Sequence, residues 1–420
     1  QAKNDLNEQL ARVETELGLA KKAAQGEKDP EKKKPLAELE RKLESKKKEL
    51  EKQRGALEGA MPRAMVMKER SEVRRTFLRK RGQYDDPGEE VTRDTPAFFH
   101  PLKKKGKVAT RSDLAEWFID RQNPLTARVA VNRFWQQFFG VGLVKTAEDL
   151  GTQGEFPSHP ELLDYLTVSF IDSGWDIKKL VRKIVLSKTY RQSSAATPEE
   201  FTRDPENRLL ARGSRFRLDA EMIRDQILAT SGLLVNKMYG KSVKPPQPVG
   251  LWKAVTMIGE RYRADGGDAI YRRSVYTYWK RGMPPPQMTI LNAPIRDACV
   301  ARRERTNTPS QALLLLNEGE YLKAARNLAR QTLALEKLDA PGRLELTYET
   351  LTSKLPDESE RTILLKLVGD LEKSYSENPA LAEEICRGLT LSGAEEKAQL
   401  AAWTLLVNAI YNLDITKTRE

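Results

Sequence analysis

Apolar residues recur every three or four positions through most of this chain, so most of it reads as helix. The densest such stretch is residues 123–194. Ala127, Val131, Phe134, Trp135 and Phe138 make one wide apolar face, with Asn123 placed to cap it and Pro124 at the first helical position. Gly140 suits the left-handed C-terminal cap. Arg128 and Asn132 lie four apart on the flank of that face. After a glycine-rich loop, Ser158-His159-Pro160-Glu161 has the form of a capping box. It opens a helix with Leu162, Leu163, Leu166 and Phe170 inward, ended by Gly174. Asp176 caps a third helix with Leu180, Val181, Ile184 and Val185 inward, running out into Thr189-Tyr190-Arg191-Gln192.

The flanks follow the same logic. Leu6, Leu10, Val13, Leu17 and Ala20 step as a heptad seam, residues 26–30 break it, and Leu36, Leu39, Leu43, Leu50 and Leu57 resume it. That predicts an antiparallel helical hairpin over 1–60 with arms of about six turns. Residues 64–67 and 76–78 read as short strands. Ser112 is placed to cap a helix with Leu114, Ala115 and Phe118 inward. A polar linker to Arg203 leads into a helical region from Asp204. A helix over 215–225 then sets Arg217, Glu221, Arg224 and Asp225 on one charged stripe, with Met222, Ile223 and Ile227 opposite. Residues 240–268 read as loop and 271–280 as a strand. Thr308 and Gln311 form a capping box opening a long helix from Pro309 through Leu335. The tail is helical, with starts at Asp357 and at Asn378-Pro379, and a last helix over 394–413 that turns Leu400, Trp403, Leu406, Val407 and Ile410 inward. The fold class is mainly α with a minor β component. The expected domains are the coiled-coil-like hairpin 1–60, a central domain 61–335 and a helical subdomain 336–420.

Composition narrows the setting. Of 420 residues, 39% are hydrophobic and 31% charged, which fits a globular protein with a polar surface. No apolar run approaches the roughly 20 residues of a membrane span. The chain opens on Gln1 in a charged helix with no visible signal peptide, which leaves its compartment open. Cys299 and Cys386 stand far apart in no metal-type spacing, and read as two small buried or half-buried side chains. With two histidines, a histidine-rich metal site is not expected, and without C-x-x-C-H the chain carries no covalent haem. The net charge of +12 is uneven: residues 1–60 carry 15 basic and 13 acidic groups and residues 331–420 carry 10 and 16, so the middle holds +16. Structural arginine–carboxylate networks are one reading of that excess, an anion-facing surface the other.

Candidate chemistry is sparse. No G-x-S-x-G, H-E-x-x-H, P-loop or dinucleotide fingerprint occurs. His159, at a helix N-terminus beside Glu161, is the best-placed acid–base pair, since a neutral imidazole there can donate or accept a proton. The alternative is that its ring simply packs and hydrogen-bonds at the turn. Arg128 and Asn132, with the stripe Arg217, Glu221, Arg224 and Asp225, are candidate binding residues for an acidic or sulfated ligand, or else a buried ion-pair network.

Taken in order, the motifs add up to a resemblance. They are Asn132-Arg133-Phe134-Trp135, Phe139-Gly140-x-Gly142-Leu143-Val144, Pro157-Ser158-His159-Pro160-Glu161-Leu162-Leu163, Ser187-x-Thr189-Tyr190-Arg191-Gln192, Arg217-Leu218-Asp219-Ala220-Glu221-x-Ile223-Arg224-Asp225, Arg272-Arg273-Ser274 and Arg305-Thr306-Asn307-Thr308-Pro309-x-Gln311. Over residues 60–420 the chain closely resembles the planctomycete PSD proteins, domain of unknown function 1553. It departs from them at Ile415, where an acidic residue is expected. The resemblance implies an exported, periplasmic or envelope protein in which a c-type cytochrome domain precedes this region, so haem would sit on that domain and not on this chain. It carries no established catalytic residues. Three functions stay open: a non-catalytic structural or docking module with a cytochrome domain or envelope protein as partner, an enzyme on an anionic polysaccharide using His159 and Glu161, and a nucleic-acid binder using the basic middle.

Overall fold

A computed structural model describes residues 2–26, 29–61, 64–70, 72–255 and 261–419, so part of the expected break at 26–30 lies outside the described residues. The chain divides into two compact units, Gln1–Asp94 and Thr95–Glu420.

In the first unit, α1 (Ala2–Gly26) and α2 (Pro30–Ala60) run antiparallel, with Leu10, Val13, Leu17 and Ala20 packed against Leu43 and Leu50. Lys3 pairs with Glu58, Glu14 with Lys47 and Lys21 with Glu44, which fixes the antiparallel register. The arms have 25 and 31 residues, longer than the expected six turns, and Asp29 caps α2 by accepting the Glu31 N–H. Leu39 lies outside the seam and is exposed. β1 (Thr76–Arg79) and β2 (Pro87–Val91) pair antiparallel, Thr76 opposite Val91. Residues 64–67 form no strand; all four are exposed, with no face to bury.

In the second unit, α3 (Arg111–Ile119) is capped by Thr110, not Ser112, because Thr110 and Asp113 complete the reciprocal box. Leu114, Ala115 and Phe118 are therefore exposed. Trp117 faces in, stacked on the His100 ring and donating its indole N–H to the His100 carbonyl (2.8 Å). The helices α4 (Thr126–Phe139), α5 (Pro160–Asp172) and α6 (Ile177–Val185) close round Val131, Trp135, Phe139, Leu163, Leu166, Phe170, Leu180 and Ile184. The Asn123 side chain accepts the N–H groups of Leu125 and Thr126, but α4 begins at Thr126 with Leu125 as its N-cap, two residues beyond the expected start at Pro124; Asp176 accepts the N–H of Lys179, as its cap position predicts. The capping box at Ser158 does not form. Pro160 moves the helix start one residue on, so His159 is the N-cap, and Ser158 instead gives its N–H and its hydroxyl to the Leu143 carbonyl (2.9 and 3.4 Å).

Short helices α7 (Lys188–Arg191) and α8 (Pro198–Arg203) follow. Residues 204–210 are turns, not helix. The Asp204 carboxylate takes the N–H groups of Arg208 and Leu209 (2.9 and 2.7 Å), while Asn207 and Leu210 adopt φ of 51° and 57°. Then come β3 (Phe216–Arg217), α9 (Ala220–Thr230) and α10 (Leu251–Val255). The expected strand over 271–280 is two 3-10 turns, ending at Tyr271 and Tyr276. The chain there wraps the Arg272 guanidinium, which donates to the carbonyls of Lys237, Tyr239 and Lys241.

After α11 (Pro286–Ile290), the long helix from Pro309 is two helices, α12 (Pro309–Asn317) and α13 (Gly319–Leu333). The Thr308–Gln311 box does open α12, but Glu318 turns extended and caps α13 with its own carboxylate. The tail adds α14 (Ala340–Thr352), α15 (Glu358–Glu377), α16 (Pro379–Ile385), α17 (Ala394–Tyr411) and β4 (Thr418–Arg419), which pairs with β3. Asn378 precedes α16 without a side-chain cap bond. A second core centres on α17. Trp403, Leu406, Val407 and Ile410 are wholly buried in it, packed with residues of α13 and α15. Cys386 is buried and Cys299 exposed, and neither is in a disulfide. No helix among the described residues is long and apolar enough to cross a membrane.

Candidate functional site

Where α4 ends, two glycines shape a cleft of about 630 Å³. Gly140 sits at φ 81°, and a Cβ there would lie 2.8 Å from the Phe216 ring. A Cβ on Gly142 would meet the Asn132 side chain and the Val144 carbonyl, both at 2.6 Å. Only glycine lets β3 and the 140–144 loop approach α4 this closely. Asn132, 1% exposed, holds the loop by donating to the Val144 carbonyl (3.0 Å) and accepting its N–H (2.8 Å). The other walls are the turns after Gln192 and the segment 302–305.

The walls are cationic. Lys145, Arg208, Arg212, Arg215, Arg302, Arg303 and Arg305 line the cleft, and its one carboxylate is Glu206. Arg208 spends its guanidinium on the carbonyls of Gly142 and Leu143 (3.0 and 3.2 Å). Rim cations have exposed acidic partners: Lys145 with Glu206 (2.8 Å), Arg302 with Glu148 (3.1 Å), and Arg215 with Asp414. Bridges of that kind exchange readily with another anion, because each is worth at most about 1 kcal/mol. Deeper in, the Nη1 of Arg212 and the Nε of Arg305 are without a hydrogen-bond acceptor among the described residues. Arg305 gives its Nη1 to the Gly140 carbonyl (2.7 Å), and its nearest carboxylate, Asp219, stands at 3.8 Å. Burial pulls the Arg305 guanidinium below its ordinary pKa despite Asp219, so its charge is undercompensated. The Phe216 ring lies 4.5 Å beneath it, and Trp135 stacked on Phe139 continues an aromatic floor.

The residues singled out by sequence do not converge here. Half-buried His159 has its Nδ1 3.0 Å from the Ser158 hydroxyl; Ser158 lines the cleft and His159 does not. Glu161 is exposed. Arg128 pairs with Asp164 (2.7 Å) and donates to the Pro124 carbonyl (2.6 Å), on the wall of a different, apolar hollow. The charged stripe is dispersed. Arg217 lies on β3, before the helix, and donates to the Asn307 side chain (3.1 Å). Glu221 takes Arg303 (2.5 Å), Asp225 takes the Ser274 N–H (2.7 Å), and Arg224 forms a buried two-point pair with Glu320 (2.5 and 2.9 Å). Sequence reasoning missed the convergence of Arg208, Arg212 and Arg215 with Arg302, Arg303 and Arg305. Their clustering in two turn-rich segments was its only sign. Among the described residues no group of three or more His, Cys, Asp or Glu side chains is placed to hold a metal ion.

No curated protein and no solved structure matches the chain. The profile of PSD1, proteins of unknown function (DUF1553), matches residues 110–368, which include α4, α5, α6 and every residue lining the cleft. The match takes in more than half of the chain, and the chain belongs to the PSD1 (DUF1553) family.

Proposed function

We propose that this chain is a binding module whose cleft receives an oligoanionic ligand, with a sulfated or uronate-bearing polysaccharide segment as the class that fits. The observation that carries the reading is the pair of buried, acceptorless guanidinium donors, Arg212 Nη1 and Arg305 Nε, in one cationic cleft. A sulfate or carboxylate oxygen supplies the missing acceptor for each. The aromatic floor suits the carbon face of a sugar ring, and a pocketed cleft suits a few residues of a chain better than the long track a nucleic acid needs. The reading assigns recognition and no bond-breaking step. The family resemblance adds its setting: a docking part of an exported, c-type-cytochrome-linked protein of the periplasm or envelope, any haem belonging to a preceding domain.

The test is titration calorimetry with a sulfated oligosaccharide, a polyuronate and single-stranded DNA at low and physiological salt. The sulfated or uronate ligand should bind, and Arg305→Ala and Arg212→Ala should each weaken it about tenfold or more, as loss of a charge-assisted hydrogen bond does. Equal or tighter DNA binding, or unaltered affinity in both variants, defeats the proposal.

A further inference from the structure

A second hollow, of about 430 Å³, lies away from the cationic cleft, between the segment 246–248, α11 and the start of α13. Its volume falls within the roughly 300–1,000 Å³ of small-molecule sites. Its walls are largely carbon: Pro246, Pro248, Pro286, Ile270 and Leu314. Two polar side chains line it whose end atoms, the Gln247 amide nitrogen and the Tyr271 hydroxyl, have no hydrogen-bond partner among the described residues. Buried polar atoms are usually paired, so two unpaired ones on one small cavity are positions where a bound ligand can supply a partner.

The lining's charges decide what that partner is. Glu320 faces the hollow but is neutralised by the buried Arg224, at 2.5 and 2.9 Å. Glu318 has one oxygen on the N–H groups of Glu320 and Tyr321 (2.6 and 3.2 Å), and the other on the Gln287 amide (3.1 Å). Lys323, whose ammonium lies 5.1 Å from the centre of the Tyr271 ring, offsets Glu318. The hollow is thus close to neutral. It offers an amide donor, a phenol that both donates and accepts, and a carboxylate with accepting capacity left on its Gln287 side. A free anion meets Glu318 and a free cation meets Lys323. Hydroxyl groups, which donate and accept, satisfy the whole set, and proline rings pack well on the C–H faces of a pyranose.

We infer that this hollow, framed by Gln247, Tyr271 and Glu318, is a binding site for an uncharged polyhydroxylated ligand, a mono- or disaccharide. It is independent of the cationic cleft: the two share no lining residue.

The experiment is saturation-transfer NMR followed by calorimetry on the full chain with neutral hexoses, a fucose, a xylose and their disaccharides. Acetate and ethylamine serve as charged probes. At least one neutral sugar should bind saturably, with little dependence on salt. Tyr271→Phe removes one oxygen and Gln247→Leu one donor, and each should weaken that binding about tenfold. Arg305→Ala should leave it unchanged, which separates this site from the cleft. Near-ultraviolet circular dichroism on each variant checks that the fold is intact, and Gln247→Glu, of nearly the same shape, serves if Gln247→Leu unfolds. The inference is overturned if no neutral sugar binds, if acetate or ethylamine binds instead, or if sugar affinity is the same in folded Tyr271→Phe and in a folded Gln247 variant.

Discussion

Asn132 carries as much of the site as any cation in it. Its amide replaces a peptide partner for both polar groups of Val144, in a place where water does not reach. Asn132→Leu keeps the volume and leaves a buried N–H and a buried carbonyl unpaired. Each costs about 1–3 kcal/mol, so urea unfolding should show a loss on the order of 2–5 kcal/mol. An unchanged midpoint would mean that the 140–144 loop is held by something else. From sequence, Asn132 looked like a ligand-binding residue on a helix flank. Its true partner lies 12 positions on, in a loop whose path helical periodicity does not encode. Arg224 is a related case: a buried ion pair is one of the two readings of its stripe, but its partner is Glu320, 96 positions away, and not a carboxylate of the stripe itself.

At the scale of elements, the break between α12 and α13 is the most consequential. Ending α12 at Asn317 lets Glu318 cap α13, and that points Glu320 at Arg224. Burial first, and then the neighbouring Glu320, raise the Glu318 carboxyl above its ordinary value of 4.5. The folded chain therefore holds that proton more tightly than the unfolded chain does. The associated stabilisation is complete below pH 4.5 and is lost as pH rises through the folded value. Wild-type stability above pH 4.5 should accordingly fall more steeply with pH than that of Glu318→Gln, in denaturant midpoints taken across that range. Parallel curves would remove Glu318 as the titrating group. Most caps were legible because capping is local: Asp176, Thr308 and Asp357 all accept the backbone N–H groups their positions imply. Ser158 and Ser112 were not, because Pro160 and Asp113 favour a start shifted by one or two residues.

In the unit Thr95–Glu420, the core of α4, α5 and α6 borders the cationic cleft, and arginines from later segments reach the end of α4. Arg305 reaches the carbonyl that ends α4. Arg419, on the last strand, reaches the Phe138 carbonyl while its guanidinium lies 4.3 Å from the Tyr190 ring centre. Pairing of β4 with β3 sets Phe216 against Gly140. Arg419→Ala should therefore lower stability by about 1–3 kcal/mol and also weaken the cleft's anion affinity severalfold, although Arg419 does not line the cleft. Lost stability with full affinity would show that the cleft keeps its shape without the C-terminal strand.

The sequence by itself determined the helical class, the heptad seam of Leu10, Val13, Leu17 and Ala20, the inward face of α17 and most helix starts. Those features depend on neighbours within about one turn, so spacing and cap chemistry specify them. Family membership was also readable, since ordered motifs survive without knowledge of their contacts. Only the tertiary structure decided which arginines face one cleft, which charged residues are consumed in buried pairs, and which polar atoms are left without partners. Those outcomes are set by contacts such as Asp225 with Ser274 and Phe138 with Arg419, 49 and 281 positions apart, and no local pattern in a single chain encodes where a guanidinium that far away will end.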